Sequence, residues 1–255
     1  MLTDEQKFLF DLEGYLVIPG VLSDAQCSAL RDEADRVWPR QASDGTFRRF
    51  EDISLWGQSF VDLMDHPKVL PVLIELIGSR LRIDHDYCIF MRQGDASMPV
   101  HGGPRRIETD HWYYYSDGIM RNGLTVATYA LNDSKEGDGG FVCIPGSHKT
   151  NFMQNLPESV RNHDVQPHYV RNPPIGRGDV LIFTEALMHG TRAWCGNAER
   201  RALLYKYSPP HSTWRIKPYD LLNYPHATQQ QRRLMAPPSV EKHPRVVSNE
   251  GSDQP

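Results

Sequence analysis

The hydrophobic rhythm of the chain changes near residue 80. Before that point, apolar residues recur at three- and four-residue intervals in "LTDEQKFLFDLE", "SDAQCSALRDEADRVW" and "HPKVLPVLIELIG", the spacing of helices with one buried face. Thr3 with Gln6, and Ser23 with Gln26, have the spacing of a capping box, which gives the first two helices defined starts. Gly78 is placed to end the third. Between the first two, "YLVIPG" reads as a short strand. Beyond residue 80 the segments are short and rich in β-branched and aromatic residues: "LRIDHDYCIFMR", "GLTVATYALND", "GGFVCIPG", "GDVLIFTEAL" and "RRALLYKYSP". Gly, Pro, Asn and Asp turns separate them, as in an antiparallel barrel or double-sheet jelly roll. The pattern predicts a mainly β fold with α. Residues 1–236 form one domain, a double-stranded β-helix (jelly-roll, cupin-like) core with N-terminal helices packed on it. The polar, proline-bearing stretch 237–255 is predicted to be a flexible tail.

Length and charge narrow the partners. A chain of 255 residues suits a single sizeable core. The net charge is −4 and no run of like charges stands out, which disfavours nucleic acid and anionic membranes and favours a small-molecule partner. Cys27, Cys88, Cys143 and Cys195 are far apart and form no CxxC pair. The N-terminus has no basic region followed by an apolar signal core, and no apolar stretch reaches the roughly 18 to 20 residues of a membrane span. These features point to free thiols in a reducing cytoplasm. The oligomeric state has no signature in the sequence.

Three polar residues stand at strand ends that a barrel could bring together. His101 closes one predicted strand, His189 follows the strongly strand-like "DVLIFTEALM", and Arg200 opens "RALLYKY" eleven residues later. With the intervening "GDGGFVCIPGSHK" and the opening "GYLVIPGVLSDAQCSALRDEADRV", the chain resembles the phytanoyl-CoA dioxygenase family of non-haem iron, 2-oxoglutarate-dependent oxygenases over most of residues 5–215. The resemblance implies one Fe(II) held by His101 and His189, with open positions for 2-oxoglutarate and O2. It also implies that Arg200 and the Thr191 hydroxyl bind the far carboxylate of 2-oxoglutarate, a task that suits a planar guanidinium. Arg201 is adjacent, but strand alternation sends it to the opposite face.

The departure from the family lies in "MPVHGGPRR". The family carries a carboxylate two residues after the proximal histidine, whereas this chain has Gly103 there, and none of its eleven histidines is followed two residues later by Asp or Glu. Within the resemblance this narrows to the 2-oxoglutarate-dependent halogenases, in which glycine or alanine leaves room for chloride on the iron. The expectation is then chlorination of an unactivated C–H bond, with the halide beside Gly103. One alternative is a hydroxylase in which Glu108 or Asp110 of "RRIETDHW" folds back as a remote carboxylate ligand. Another, of a different class, is a non-catalytic jelly roll that binds a small ligand.

Residues around the motif suggest a substrate. Arg105 and Arg106 are suited to clamping a phosphate, and His111, in the aromatic "HWYYY", could stack on a flat ring. Together they point to a phosphorylated nucleoside such as deoxyadenosine monophosphate, the substrate of the nucleotide halogenases within the resemblance. His148 in "PGSHK" reads as structural. His85 and Asp86 in "DHDY" fit a pocket or a buried hydrogen-bonded role equally well.

Overall fold

In a computed structural model, residues 2–38, 47–104 and 110–247 are described. The helices are α1 (Asp4–Glu13), α2 (Asp24–Val37), α3 (Gln58–Val61), α4 (Leu70–Ile77), α5 (Glu158–Arg161) and α6 (Gln229–Leu234). The strands are β1 (Tyr15–Ile18), β2 (Arg48–Glu51), β3 (Arg82–Met91), β4 (Met98–His101), β5 (Tyr113–Ser116) and β6 (Ile119–Asn122), followed by β7 (Thr125–Ala130), β8 (Gly140–Cys143), β9 (Val180–Thr184), β10 (His189–Arg192) and β11 (Arg200–Ser208). Both predicted capping boxes form. The Thr3 hydroxyl accepts from the Gln6 N–H at 3.1 Å while the Gln6 side chain accepts from the Thr3 N–H at 3.0 Å. Ser23 and Gln26 do the same at the head of α2, and Gly14 ends α1 in the left-handed conformation.

Two antiparallel sheets face each other as a jelly roll. The larger has strand order β1-β9-β7-β11-β3-β2 and the smaller β4-β10-β8, while β5 and β6 make a separate hairpin. The large sheet is buried on both faces, so its strands read as nearly unbroken apolar runs, and strand alternation divides their side chains between two cores. On β11, Leu203, Tyr205 and Tyr207 face the helices, while Ala202 and Leu204 face the interior between the sheets. The helix-side tyrosines remain satisfied because they reach backbone. Tyr205 donates to the Phe60 carbonyl, Tyr207 to Met64 and Tyr129 to Leu63, all at 2.7–2.8 Å.

The tail departs in part from its predicted flexibility. Val246 and His243 are buried, and the Val246 N–H donates to the Ser79 carbonyl at 2.9 Å. Arg80 likewise donates to the Glu241 carbonyl at 2.7 Å. Polar composition concealed this docking, because one buried valine and a few backbone hydrogen bonds suffice to order such a segment. Residues 248–255 lie outside the described residues.

Candidate active site

The smaller sheet brings the two histidines together. In the β4–β10 register His189 lies opposite His101, and their ring centroids are 4.3 Å apart. Backbone carbonyls set both tautomers. His101 Nδ1 lies 2.9 Å from the Pro99 carbonyl and His189 Nδ1 lies 2.7 Å from that of Leu187. A carbonyl only accepts, so each Nδ1 carries a proton and anchors its ring through that nitrogen. Burial pushes the His189 pKa down to about 4, which keeps the ring neutral. Two imidazoles, each anchored through Nδ1, form the donor pattern of a metal site.

Arg200 opens β11 across the interior from this pair, and its alternation partners Ala202 and Leu204 belong to the inner core. It is buried, and its Nη1 reaches Met91 Sδ at 3.8 Å. Among the described residues no carboxylate pairs with it, and burial alone lowers its pKa to about 10. Arg201 points the other way and is held by Asp35 at 2.6 Å and Glu199 at 2.7 Å. One arginine is thus fully paired within the protein, while its neighbour is buried and ready for an anion from outside. Thr191, also buried, lies two residues after His189 on β10 and therefore on the same face.

The two glycines after His101 have a backbone explanation. Both have positive φ, +74° at Gly102 and +99° at Gly103. A Cβ on Gly102 would meet the Leu187 and Glu185 carbonyl oxygens at 2.6 and 2.8 Å and His189 Nδ1 at 3.0 Å. The Gly103 N–H donates to the Glu185 carbonyl at 3.3 Å. This stretch lies directly on the turn that carries His189, and only glycine permits so close an approach. Around Gly103, where the halide is expected, a Cβ would meet only flexible side chains, Met153 Sδ at 3.1 Å and Met188 Cγ at 3.3 Å.

Of the two remote carboxylates, Glu108 lies outside the described residues, as do Arg105 and Arg106. Asp110 is buried, and its Oδ1 accepts from Trp112 Nε1 at 3.0 Å. Burial raises its pKa, opposed by Ser212, Ser208 and Trp112. Among the described residues Asp110 makes no ion pair with His101 or His189, and its Oδ2 is buried without a hydrogen-bond partner. His111 does reach the site, with its ring stacked on Trp214 at 5.3 Å between centroids. Of the neighbouring tyrosines, Tyr114 and Tyr115 are exposed, while Tyr113, which donates to Asp11, lines the cavity next to His111. His148 is buried and donates to the Asp11 carbonyl at 3.1 Å. Asp86 is buried on the helix side, accepting from Ser54 and Tyr219.

A carboxylate that does lie beside His189 is Glu185, in the turn between β9 and β10. Its Oε2 is 3.9 Å from His189 Nε2 and 3.8 Å from His111 Nε2, and its Oε1 is 2.7 Å from Lys206 Nζ. Glu185 is buried and Lys206 nearly so. Burial opposes the carboxylate charge, but Lys206, His189 and His111 outweigh it and hold the Glu185 pKa well below the usual range. The sequence held a signal for this pair. The alternation that sends Arg200 inward also sends Lys206 inward, and a buried lysine requires an anion.

Among the described residues no three His, Cys, Asp or Glu side chains already converge as a ligand set for a metal ion. His101 and His189 nevertheless fit one, because both rings are anchored through Nδ1 and His189 is buried. A cavity of about 540 Å3 adjoins the site through His111, Pro104 and Met153. Another, of about 660 Å3, lies between α1 and the β5–β6 hairpin, away from the histidines. The chemistry, not the cavity size, marks the active site. No helix among the described residues is long and apolar enough to cross a membrane.

A jelly roll with paired histidines on the small sheet and a buried arginine on the large one has the architecture of an iron, 2-oxoglutarate oxygenase. The chain belongs to the phytanoyl-CoA dioxygenase (PhyH) family, whose model matches residues 10–202. Solved structures agree. HygX from Streptomyces hygroscopicus with nickel and 2-oxoglutarate bound is 28% identical, with a TM-score of 0.74 over 84% of this chain and 90% of that one. The form that also holds hygromycin B is 29% identical, at the same TM-score and coverage. SnoK, a non-heme α-ketoglutarate-dependent carbocyclase from nogalamycin biosynthesis, shares the fold at 19% identity and a TM-score of 0.64, covering 84% of this chain and 87% of its own.

Proposed function

We propose that the protein is an Fe(II)- and 2-oxoglutarate-dependent hydroxylase that oxidises an unactivated C–H bond of a small, polar natural product. The observation that carries this reading is the buried Arg200, left without a carboxylate among the described residues, across the interior from His101 and His189. In this reading the two Nε2 atoms bind the metal. Arg200 makes a bidentate pair with the far carboxylate of 2-oxoglutarate, and Thr191 adds a hydrogen bond. The bound iron supplies the oxidising chemistry, in which 2-oxoglutarate and O2 give succinate and CO2 and the second oxygen atom enters the substrate as a hydroxyl. The protein orients these groups and excludes bulk water: His189, Thr191, Arg200 and Glu185 are all buried.

The substrate class is supported by the approach to the site. The cavity beside His111 is lined by Lys149, Thr150, Asn151 and Gln154 as well as by aromatic rings, and the HygX structure contains hygromycin B, a polar small molecule. Hydroxylation is preferred to chlorination because the buried Glu185 already places a negative charge beside His189, which opposes a second anion nearby. The nucleotide expectation rested on Arg105 and Arg106, which lie outside the described residues.

Anaerobic addition of Fe(II) and 2-oxoglutarate tests the reading. A visible charge-transfer band, followed in air by succinate release and a product heavier by one oxygen, is the expected result in buffers with and without chloride. A product that gains chlorine only when chloride is present would restore the halogenase. Metal binding with no band and no 2-oxoglutarate turnover would identify a non-catalytic binder.

A further inference from the structure

We infer that Glu185 is the carboxylate ligand of this metal centre, supplied from the β9–β10 turn four residues before His189 instead of from the second position after His101. The inference rests on the metal-binding reading of His101 and His189 and adds the third protein ligand. Its basis is geometric. Metal–nitrogen and metal–oxygen bonds are each about 2.0–2.2 Å, so one ion can span at most about 4.0–4.4 Å between two ligand atoms. Glu185 Oε2 lies 3.9 Å from His189 Nε2, within that span. Closing the pair to neighbouring positions on one ion takes a contraction of about 1 Å, within reach of a side chain on a turn.

The two carboxylate oxygens have separate tasks. Lys206 holds Oε1 at 2.7 Å, which leaves Oε2 aimed at the imidazoles. His111 Nε2 is 3.8 Å from the same Oε2, so the oxygen lies between two rings and not against one. Asp84 is engaged elsewhere, accepting from Arg82 at 2.8 Å and lying 2.7 Å from His85 Nδ1, and among the described residues Asp110, whose Oδ1 accepts from Trp112, makes no ion pair with His101 or His189. The glycines after His101 also acquire a purpose, since Gly103 donates to the Glu185 carbonyl and Gly102 lets the strand end lie against the turn that presents the ligand. Lys206 is a positioning residue in this arrangement.

The alternative is that Glu185 serves only as the counter-ion of Lys206, and metal binding separates the two roles. Co(II) is titrated calorimetrically into metal-free wild type, Glu185→Gln, Lys206→Met and the double variant, and the visible Co(II) absorption is recorded in parallel. The double variant removes both charges, so it stays folded even where a single change leaves an uncompensated buried charge. The expected result is a loss of Co(II) affinity of at least tenfold in Glu185→Gln and in the double variant, with a changed Co(II) spectrum. Lys206→Met should bind Co(II) more weakly than wild type but more tightly than Glu185→Gln, because the carboxylate remains while the contact that holds it in place is lost. Wild-type affinity and an unchanged spectrum in the folded double variant would overturn the assignment of Glu185 alone. Failure of the wild type itself to bind Co(II), with or without 2-oxoglutarate, would overturn the hydroxylase reading together with it.

Discussion

Replacing Arg200 by methionine should make the protein more stable and worse at binding its cosubstrate. In the free protein the guanidinium is buried, its Nη1 rests against Met91 Sδ, and no carboxylate among the described residues pairs with it. Burial lowers its pKa from 12.5 to about 10. A folded-state pKa below the unfolded value means that folding disfavours the charged form, here by about 3 kcal/mol at neutral pH at roughly 1.4 kcal/mol per unit. Methionine fills most of the same space without the charge. Part of that cost should be recovered, a net gain of about 1–3 kcal/mol, which raises Tm by roughly 2–10 °C for a domain of this size. The same change removes the partner of the 2-oxoglutarate carboxylate and should weaken its binding by about 2–5 kcal/mol, or roughly 30- to several-thousand-fold. Arg201→Met is the mirror experiment. It breaks a pair to the half-exposed Asp35 and one to the buried Glu199, which keeps Arg48 and Arg92, and should cost about 1–3 kcal/mol of stability while leaving 2-oxoglutarate affinity unchanged. Thermal melts and anaerobic calorimetry with Fe(II) and 2-oxoglutarate read both quantities. An Arg200→Met protein that melts lower, or that binds 2-oxoglutarate as wild type does, would refute the reasoning.

Gly102→Ala should cost more than Gly103→Ala, because its Cβ would meet backbone oxygens at 2.6 and 2.8 Å whereas that of Gly103 meets flexible methionines. Each carries about 1–2 kcal/mol for positive φ, and only the first should also weaken Co(II) binding; equal losses in denaturation and metal titration would contradict this. His148 has its pKa lowered to about 4 from 6.5, chiefly by burial. The unfolded chain therefore binds more protons between these values, and stability present above pH 6.5 is lost as pH falls toward 4, by about 3 kcal/mol. Urea denaturation of His148→Gln across that range should show a correspondingly shallower pH dependence than wild type, and an identical slope would sink the assignment. Thr191→Val should raise the apparent Kd for 2-oxoglutarate by about 1 kcal/mol, or roughly fivefold, for one lost hydrogen bond; calorimetry showing no change would remove Thr191 from the cosubstrate site.

Local chemistry made much of this protein legible. Capping boxes at Thr3 and Ser23 fixed two helix starts because the bonds they make span only three residues. Period-two alternation selected Arg200 over Arg201, since a strand sends neighbouring side chains to opposite faces whatever lies beyond them. The sequence also carried His101 and His189 as candidate ligands, each at a strand end. What "GG" meant was decided by tertiary structure. A missing carboxylate at Gly103 looks the same in the sequence whether the strand end stands free or lies against another turn. Only the close approach of the 185–189 turn distinguishes the two. Glu185 was obscured for the same reason. A turn has no hydrophobic period to mark which way a side chain points, so its place beside His189 depends on Lys206, 21 residues later on a strand of the opposite sheet, to hold it there.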